Sequence, residues 1–214
     1  MKALVTLMFI SLATFSNAHS FEWNLSSDSV KTVKSVAISK SGTLKTNNGT
    51  EITMENVGSG LRSKFGFSVY AAQLLVTAPG EYTRTDDGAL ASVSTMDGLA
   101  IGMTFLRNVS ASKMKSAYNQ AFKLNGVDRS LEHNKKFIAA ATVGGNLKKG
   151  QSLWIFAYKD EANSQDVVLY HDNKGNVTTI TGPHGFLKDI AAIWLGKVES
   201  SLKGLKKDLV HDTY

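Results

Sequence analysis

The chain has 214 residues, of which 43% are hydrophobic and 20% charged, with 18 Gly, two Pro and no Cys. This length fits one domain, and the balance is that of a globular protein rather than of a disordered or collagen-like chain. Absence of cysteine excludes a disulfide, a thiolate metal site and a cysteine nucleophile. The formal net charge is +6, but the basic residues are scattered, so we predict a mildly basic surface and no nucleic-acid partner.

Residues 1–18 have the pattern of a secretory signal peptide. Lys2 is the one basic residue of this segment, an apolar stretch follows over 3–13, and the segment ends in Ser16-Asn17-Ala18. A basic start, a short apolar stretch and a small-residue cleavage site are typical of exported proteins, and the stretch is too short to span a membrane. We therefore predict cleavage after Ala18, a periplasmic location and no transmembrane segment in the mature chain.

The first half of the mature chain is predicted to form mainly strands. Residues 19–33 are polar and indicate a poorly ordered lead-in. Short alternating segments follow, and Asn47-Asn48-Gly49 is a turn sequence typical of β-hairpins. The pattern then predicts a strand over 51–57, a turn at Gly58-Ser59-Gly60 and a second strand over about 62–76.

The second half mixes helices and strands. In chain order, the sequence predicts a helix over 86–95, a strand over 99–106, helices over 111–124 and 128–142, strands over 153–158, 167–170 and 177–180, a buried helix over 186–195 and an amphipathic helix over 198–209. Ser110 is placed to cap the second helix, and Asp172-Asn173-Lys174-Gly175 is a hairpin turn. This order predicts an α+β fold, with a mainly antiparallel sheet and helices on one face. No long linker interrupts it, so we predict a single domain over 34–210.

Motifs that would carry catalysis or cofactor binding are few. The five histidines show no metal-binding spacing, and the sequence has no nucleophile elbow, P-loop or dinucleotide-binding glycine motif. Gly58-x-Gly60 is too short for a phosphate-binding loop. We therefore expect no cofactor and no metal ion, and composition and spacing alone lead only to an exported α+β domain.

Three ordered stretches of the chain are more distinctive. They are residues 58–72 (GSGLRSKFGFSVYAA), the strand-to-helix corner at 105–113, and the closing strand with its buried helix at 180–196. Together they resemble the bacterial chalcone isomerase-like family. The resemblance implies an open-faced β-sandwich, in which a large antiparallel sheet is backed by a helical layer with a cleft between them. That superfamily includes plant enzymes that close a chalcone into a flavanone and non-catalytic relatives that bind fatty acids.

The resemblance also implies which residues form the site. In the fatty-acid-binding relatives an arginine and a tyrosine hold the carboxylate, and Arg62 and Tyr70 match them. The arginine of the enzymes would also be Arg62, but Tyr70 takes the place of their threonine. Their tyrosine and asparagine on the cleft helix are not matched; Met114, Tyr118 and Ala121 are expected to face the cleft there. In a shifted register, Lys113 and Gln120 are the alternatives on this helix.

The spacing of Arg62 and Tyr70 supports a shared site. The two are eight residues apart, so an unbroken strand would project both side chains to one face, together with Lys64 and Ser68. Phe65, Phe67 and Val69 would point to the other face. A bulge near Gly66 would break this alternation. A guanidinium offers paired donors to a carboxylate and a phenol adds a further hydrogen bond. The alternative is that an acid of the chain itself pairs with Arg62 and that Tyr70 is only packed.

Three functions are therefore open. The first is an exported, non-catalytic protein that holds a fatty acid or a similar amphipathic carboxylate in its cleft. The second is an isomerase or lyase that acts on a small hydrophobic substrate with Arg62 and Tyr70, although the sequence shows no convincing base for it. The third is an envelope interaction protein without a small ligand, whose basic C-terminal helix contacts acidic partners or lipid headgroups.

Overall fold

An antiparallel sheet of eight strands is the centre of the structure, a computed structural model that describes residues 21–46 and 49–212. The predicted signal peptide, and Asn47 and Asn48 of a predicted turn, lie outside these residues. The strands are β1 (Glu22–Leu25), β2 (Ser29–Val33), β3 (Val36–Ser39), β4 (Ser41–Lys45), β5 (Glu51–Lys64), β6 (Phe67–Val76), β7 (Gly98–Phe105), β8 (Ser152–Asp160), β9 (Gln165–His171) and β10 (Val177–Gly182). The sheet order is β1-β4-β5-β6-β7-β8-β9-β10, whereas β2 and β3 form a separate two-stranded sheet.

A layer of helices covers one face of the large sheet. Its α-helices in the described part of the chain are α1 (Gly88–Thr95), α2 (Ala111–Leu124), α3 (Glu132–Val143), α4 (Phe186–Leu195) and α5 (Lys203–His211). All five bury apolar side chains in one core with sheet residues such as Leu74, Ile101 and Ile155. The predicted α+β class, with helices on one face of an antiparallel sheet, is confirmed.

Local signals placed several of these elements correctly. The Ser110 side chain accepts a hydrogen bond from the backbone N–H of Lys113 at 3.3 Å, so the predicted N-cap of α2 is confirmed. Asp172 Oδ1 accepts hydrogen bonds from the backbone N–H groups of Lys174 and Asn176, which closes the predicted hairpin between β9 and β10. The buried helix at 186–195 is confirmed as α4.

Helix α3 begins four residues later than predicted. Asp128 Oδ1 accepts hydrogen bonds from the backbone N–H and the hydroxyl of Ser130, at 2.8 and 2.7 Å. Aspartate side chains that bond the backbone two residues on favour a turn over a helix. Residues 128–131 therefore form a turn, and α3 starts at Glu132.

The prediction of an irregular lead-in over 19–33 is wrong for the described residues, because β1 and β2 lie within it. β1 pairs with β4, and Trp23 of β1 packs against Trp154 and Phe156 of β8, with ring centroids 5.2 and 4.8 Å apart. β8 lies five places from β1 in the sheet order, so the sheet curls until its first strand covers the face opposite the helices. One half-buried aromatic side chain thus fixes a segment whose other residues are mostly polar.

The predicted turn at Gly58-Ser59-Gly60 is also wrong, because β5 runs through these residues without a break. The glycines instead admit helix α5. A Cβ added at Gly58 would lie 2.0 Å from the carbonyl oxygen of Leu209, and one at Gly60 would lie 2.3 Å from the Cβ of Asp208. Glycine in a strand here serves the close approach of a helix rather than a change of direction.

Candidate functional site

The β5–β6 hairpin brings Arg62 and Tyr70 together. The predicted single strand over 62–76 is wrong, because the chain reverses at Phe65-Gly66 and β6 returns beside β5. Phe65 and Gly66 have φ angles of +52° and +77°, the positive values that a two-residue type I′ turn requires. Arg62 pairs directly with Tyr70 across the hairpin, so cross-strand pairing, not spacing along one strand, puts both side chains on one face.

A β-bulge beside this pair decides which side chains share its face. β6 has an extra residue, Val69, between Ser68 and Tyr70, where the pairing register shifts. An extra residue displaces the alternation of side chains by one position. Phe67 therefore lines the same cavity as Arg62, although strict alternation assigned it to the opposite face.

Arg62 is buried, and it is paired with an acid of the chain itself. The residue is 9% exposed, and its Nη2 donates to Glu199 Oε1 at 2.7 Å and to Ser201 Oγ at 3.4 Å. Its guanidinium carbon lies 5.6 Å from the centroid of the Tyr70 ring, a cation–π distance. The Arg62 Nε–H is buried without a hydrogen-bond partner among the described residues. The hydrogen bonds of this guanidinium to other side chains are thus made by Nη2, to Glu199 and Ser201.

Glu199 is the anionic partner of this arginine. It follows α4 and immediately precedes a 3-10 turn at Ser200–Leu202. The hydrogen bond from Ser201 lowers the pKa of Glu199 most, and the charges of Arg62 and Lys64 lower it further against the effect of partial burial. Glu199 is thus ionised at neutral pH, and the alternative of an internal acid beside Arg62 is what the structure shows.

Tyr70 packs behind Arg62. It is 3% exposed, and its hydroxyl accepts a hydrogen bond from Trp194 Nε1 of α4 at 3.3 Å. Burial raises the pKa of Tyr70, and the nearby Arg62 charge opposes this only in part. Tyr70 is therefore a neutral phenol that fixes the position of the guanidinium from the core side.

A cavity of about 550 Å³ lies beside Arg62, between the tip of the β5–β6 hairpin and the first turns of α2. Cationic and apolar side chains share its wall. The lining residues are Arg62, Lys64, Phe65, Phe67, Val69, Arg107, Asn108, Val109, Lys113, Met114, Ser116, Ala117, Gln120 and Glu199. Pockets of this size with an apolar wall and a few charged groups suit small organic ligands. The arrangement can therefore hold a molecule with an anionic group and an apolar body.

Two of the five predicted ligand-binding residues, Arg62 and Met114, line the cavity. Tyr70 lies behind Arg62, and Ser68 lies before the bulge, opposite Ser63 on β5. Neither Tyr70 nor Ser68 is part of the lining, so direct contact between them and a ligand stays a prediction.

Tyr118 also lies away from the lining. It is 2% exposed and packs against Phe137 and Trp194, with ring centroids 5.1 and 6.2 Å away. Burial raises the pKa of its hydroxyl well above the ordinary value. The alternative helix register fits the cavity better at two positions, because Lys113 and Gln120 both line it.

Sequence reasoning missed Phe65, Phe67, Arg107 and Glu199 as parts of the site. The positions of Phe65 and Phe67 depend on the turn and on the bulge, and neither of these features has a typical sequence signal here. Arg107 belongs to the strand-to-helix corner, and its positive charge at this corner is a sequence signal that could have indicated a role in the site. Glu199 is 137 residues from Arg62, and no local pattern links the two.

The family of the chain follows from a family model described as chalcone isomerase-like, which matches residues 31–211. The chain belongs to the chalcone isomerase-like family. The resemblance drawn from residues 58–72, 105–113 and 180–196 is thereby confirmed. For this chalcone isomerase-like protein, the matched region includes the hairpin, α2 and Glu199, and hence the whole cavity.

Among solved structures, the crystal structure of a fatty-acid binding protein from Arabidopsis thaliana is similar to this one. The TM-score is 0.52 at 14% identity, over 79% of this chain and 96% of that chain. At this identity the likeness shows the fold, so the chalcone isomerase type of architecture is confirmed. A search among curated proteins finds no significant match.

Within residues 21–46 and 49–212, no three His, Asp or Glu side chains converge in a way that would hold a metal ion. None of the helices in these ranges has the length and apolar composition needed to cross a membrane.

Proposed function

We propose that this chalcone isomerase-like protein binds a fatty acid or a similar amphipathic carboxylate in the cavity beside Arg62. One observation carries the proposal: a buried arginine, paired among the described residues only with a partly exposed glutamate, stands in the wall of a cavity that also has an apolar lining. The fatty-acid binding protein from Arabidopsis thaliana, which has the same fold, supports this ligand class.

The ligand's carboxylate would accept hydrogen bonds from the Arg62 guanidinium, and its apolar chain would lie along Phe67, Val69 and Met114. Charge-assisted hydrogen bonds from a guanidinium to a carboxylate are among the stronger polar interactions in proteins. Lys64 and Lys113 in the same lining add positive charge. Positive charge concentrated at a cavity raises the rate at which an anion reaches it.

Glu199 makes this binding a competition between two carboxylates. In the free protein it accepts from Arg62 Nη2 at 2.7 Å. A ligand carboxylate would either share the guanidinium with Glu199 or displace Glu199 toward solvent, and the Glu199 side chain is 23% exposed and so can be rehydrated. Binding free energy is then the difference between two ion pairs, which favours a ligand that is held reversibly.

The geometry favours binding over catalysis. General base catalysis is most effective when the pKa of the base lies near the working pH. The Glu199 pKa is lowered, mainly by Ser201, and the Tyr70 pKa is raised by burial. Neither group is tuned to accept a proton from a substrate near neutral pH, so isomerase or lyase chemistry is not part of the proposal.

We also propose that the protein works outside the cytoplasm, in a periplasm. The support is the sequence of residues 1–18, which has the basic start, the short apolar stretch and the Ser16-Asn17-Ala18 end of a signal peptide. A chain without cysteine folds independently of the oxidising conditions met after export.

The test is calorimetric titration of the protein with palmitate and with its methyl ester, for the wild type and for Arg62→Met. A hydrogen bond to a charged group contributes about 1.5–3 kcal/mol, so we expect Arg62→Met to weaken palmitate binding at least about tenfold. The methyl ester should bind the wild type weakly and should be affected little by the substitution. Equal binding of acid and ester to the wild type would refute the proposal.

Arg84→Met is the matched control for this experiment. Arg84 also lies over a tyrosine, with its guanidinium carbon 5.6 Å from the Tyr82 ring, but it donates to the carbonyl oxygen of Val57 at 2.7 Å and lies outside the cavity. Palmitate affinity should therefore be unchanged in Arg84→Met. A comparable loss in both variants would mean that the effect is one of stability rather than of carboxylate recognition.

A further inference from the structure

The tip of the β5–β6 hairpin carries two exposed phenylalanines. Phe65 is 88% exposed and Phe67 is 63% exposed, the two highest values among the large apolar side chains that the structure describes. A Cβ added at Gly66 would meet no atom within 4 Å. The tip thus projects into open space and is convex, and neither aromatic ring is held by the core.

The geometry of the turn does not explain why position 65 has a phenylalanine either. Its φ angle is +52°, in the left-handed region that bulky residues avoid at a cost and that Asn or Gly adopt readily. The first position of a type I′ turn is ordinarily Asn, Asp or Gly. A strained and exposed phenylalanine at this position points to a functional demand for an apolar side chain.

Cations surround the two rings. Lys64 Nζ lies 5.7 Å from the Phe65 ring centroid, and the Arg107 guanidinium carbon lies 5.3 Å from that of Phe67. Lys113 of α2 is exposed on the opposite wall of the cavity. Glu199, the one acid among the described residues that line the cavity, is already paired with Arg62. We call Lys64, Phe65, Phe67, Arg107 and Lys113 the hairpin patch.

We propose that the hairpin patch docks on the surface of an anionic phospholipid bilayer, a role that goes beyond the proposed binding of a carboxylate. Aromatic and other apolar side chains insert at the boundary of headgroups and acyl chains, and neighbouring Lys and Arg gain about 1 kcal/mol each near an anionic leaflet. Phe65 and Phe67 enter this boundary, while Lys64, Arg107 and Lys113 contact the phosphates.

The position of the hairpin patch links docking to the cavity. All five of its residues also line the cavity beside Arg62, so the mouth of the cavity faces the bilayer when the patch is docked. An amphipathic molecule that leaves the acyl region would then enter the cavity without crossing water. This direct transfer avoids the free-energy cost of exposing an apolar chain.

Co-sedimentation of the mature protein with vesicles tests the proposal. The vesicles are phosphatidylcholine alone or phosphatidylcholine with phosphatidylglycerol. We expect binding to the anionic vesicles that weakens as salt is added, because the surface potential is screened. Phe65→Asn combined with Phe67→Ser should reduce the vesicle partition coefficient at least about tenfold, and Lys64→Gln combined with Lys113→Gln should reduce it about threefold to thirtyfold.

Two matched controls make the result specific to the hairpin. Leu131→Ser combined with Val143→Ser removes two other exposed apolar side chains, which are 45% and 55% exposed. Lys203→Gln combined with Lys207→Gln removes two exposed cations from α5. Both double variants should partition within about twofold of the wild type.

Failure of the wild type to bind anionic vesicles would overturn the proposal. So would wild-type affinity of the Phe65 and Phe67 double variant for these vesicles, or a loss of vesicle affinity in the α5 control as large as that in the Lys64 and Lys113 double variant. If the protein does not bind vesicles but binds a purified protein through the hairpin patch, the patch is a docking site for that protein instead. Palmitate titration without vesicles is measured in parallel, so failure of docking and failure of carboxylate binding are seen separately.

Discussion

Glu199 accepts a 2.7 Å hydrogen bond from Arg62 Nη2, on the same guanidinium that the proposed ligand needs. The arginine is buried, whereas its partner is nearly a quarter exposed. Loss of one member of a buried ion pair leaves the other charge without compensation. The pair therefore stabilises the free protein and, for the same reason, weakens its binding of any other carboxylate.

Substitution of Glu199 should separate these two effects. Glu199→Gln removes the competing charge and leaves Arg62 to the ligand, so palmitate should bind about threefold to thirtyfold more tightly. The free protein should lose up to about 3 kcal/mol of its free energy of unfolding, because Arg62 then lacks an anion. Titration and chemical denaturation of the same sample measure both changes, and weaker palmitate binding by Glu199→Gln would contradict the competition.

The contribution of this pair to stability should depend on pH in the acidic range. The folded-state pKa of Glu199 is lowered, first by Ser201 and then by Arg62, below the value of about 4.3 in an unfolded chain. The contribution is therefore fully present above about pH 5 and is lost as the pH falls through the folded-state pKa. The stability difference between the wild type and Glu199→Gln should begin to shrink as the pH falls below about 4.3 and should vanish below the folded-state pKa.

The exposed pair of Lys45 and Glu51 provides the control for that experiment. Its two side chains are 52% and 60% exposed, and exposed pairs contribute little. Glu51→Gln should differ from the wild type by less than about 0.5 kcal/mol at every pH. A pH dependence of equal size in Glu51→Gln would show that the effect reports general charge rather than the Arg62 site.

The contact of α5 with β5 should be intolerant of a single methyl group. A Cβ at Gly58 would lie 2.0 Å from the carbonyl oxygen of Leu209, a backbone atom that no rotamer change can move. We expect Gly58→Ala to destabilise the protein by about 2–3 kcal/mol or more. Gly204→Ala, in α5 where no atom lies within 4 Å, should instead be neutral or stabilising by up to about 1 kcal/mol. Thermal unfolding of both variants decides the matter.

Relief of backbone strain at the hairpin tip should raise stability. Phe65→Asn places a residue that tolerates positive φ in the type I′ turn, and we expect a gain of about 0.5–1 kcal/mol after loss of the contact with Lys64. Phe67→Asn, at the first strand position, should be destabilising by up to about 1 kcal/mol because Asn is unfavourable in strands. If denaturation shows Phe65→Asn to be less stable than the wild type, the strain assigned to Phe65 is wrong.

Export should leave a chain that begins at His19. The small residues Ser16 and Ala18 are placed for signal-peptidase cleavage. Intact mass spectrometry of the protein from a periplasmic fraction should give the mass of residues 19–214. Recovery of the uncleaved chain from the membrane fraction would contradict this prediction.

The sequence predicted most elements whose signals are local. Ser110 caps α2, Asp172 closes the β9–β10 turn, and the apolar character of residues 186–195 predicts a buried helix; each of these signals acts within a few residues. Predictions from local residue propensity were wrong where contacts between distant segments determine the backbone conformation. Gly58 reads as a turn residue but is needed for the approach of α5, and the reversal at Phe65-Gly66 has phenylalanine where a turn signal would have asparagine.

Of the cavity lining, the sequence predicted Arg62 and Met114, with Lys113 and Gln120 as alternatives. Arg62 stands out by its resemblance to the family pattern, and its register partner Tyr70 was correctly placed on the same face for a different geometric reason. Glu199 could not be found, because ion pairs between distant segments leave no periodicity in a single sequence. The bulge at Val69, which puts Phe67 in the cavity wall, likewise depends on cross-strand pairing that one sequence does not reveal.

The hydrogen bond from Trp194 to Tyr70 gives the protein a built-in optical reporter. Trp194 lies on the helical side of the sheet and contacts Tyr70, whose ring in turn lies against Arg62. Trp23 and Trp154 pack together on the other side of the sheet. The chain has three tryptophans, so the intrinsic fluorescence divides between the two faces. Trp23→Phe combined with Trp154→Phe would leave one emitter that senses the charge state and occupancy of the Arg62 site, without any dye or label.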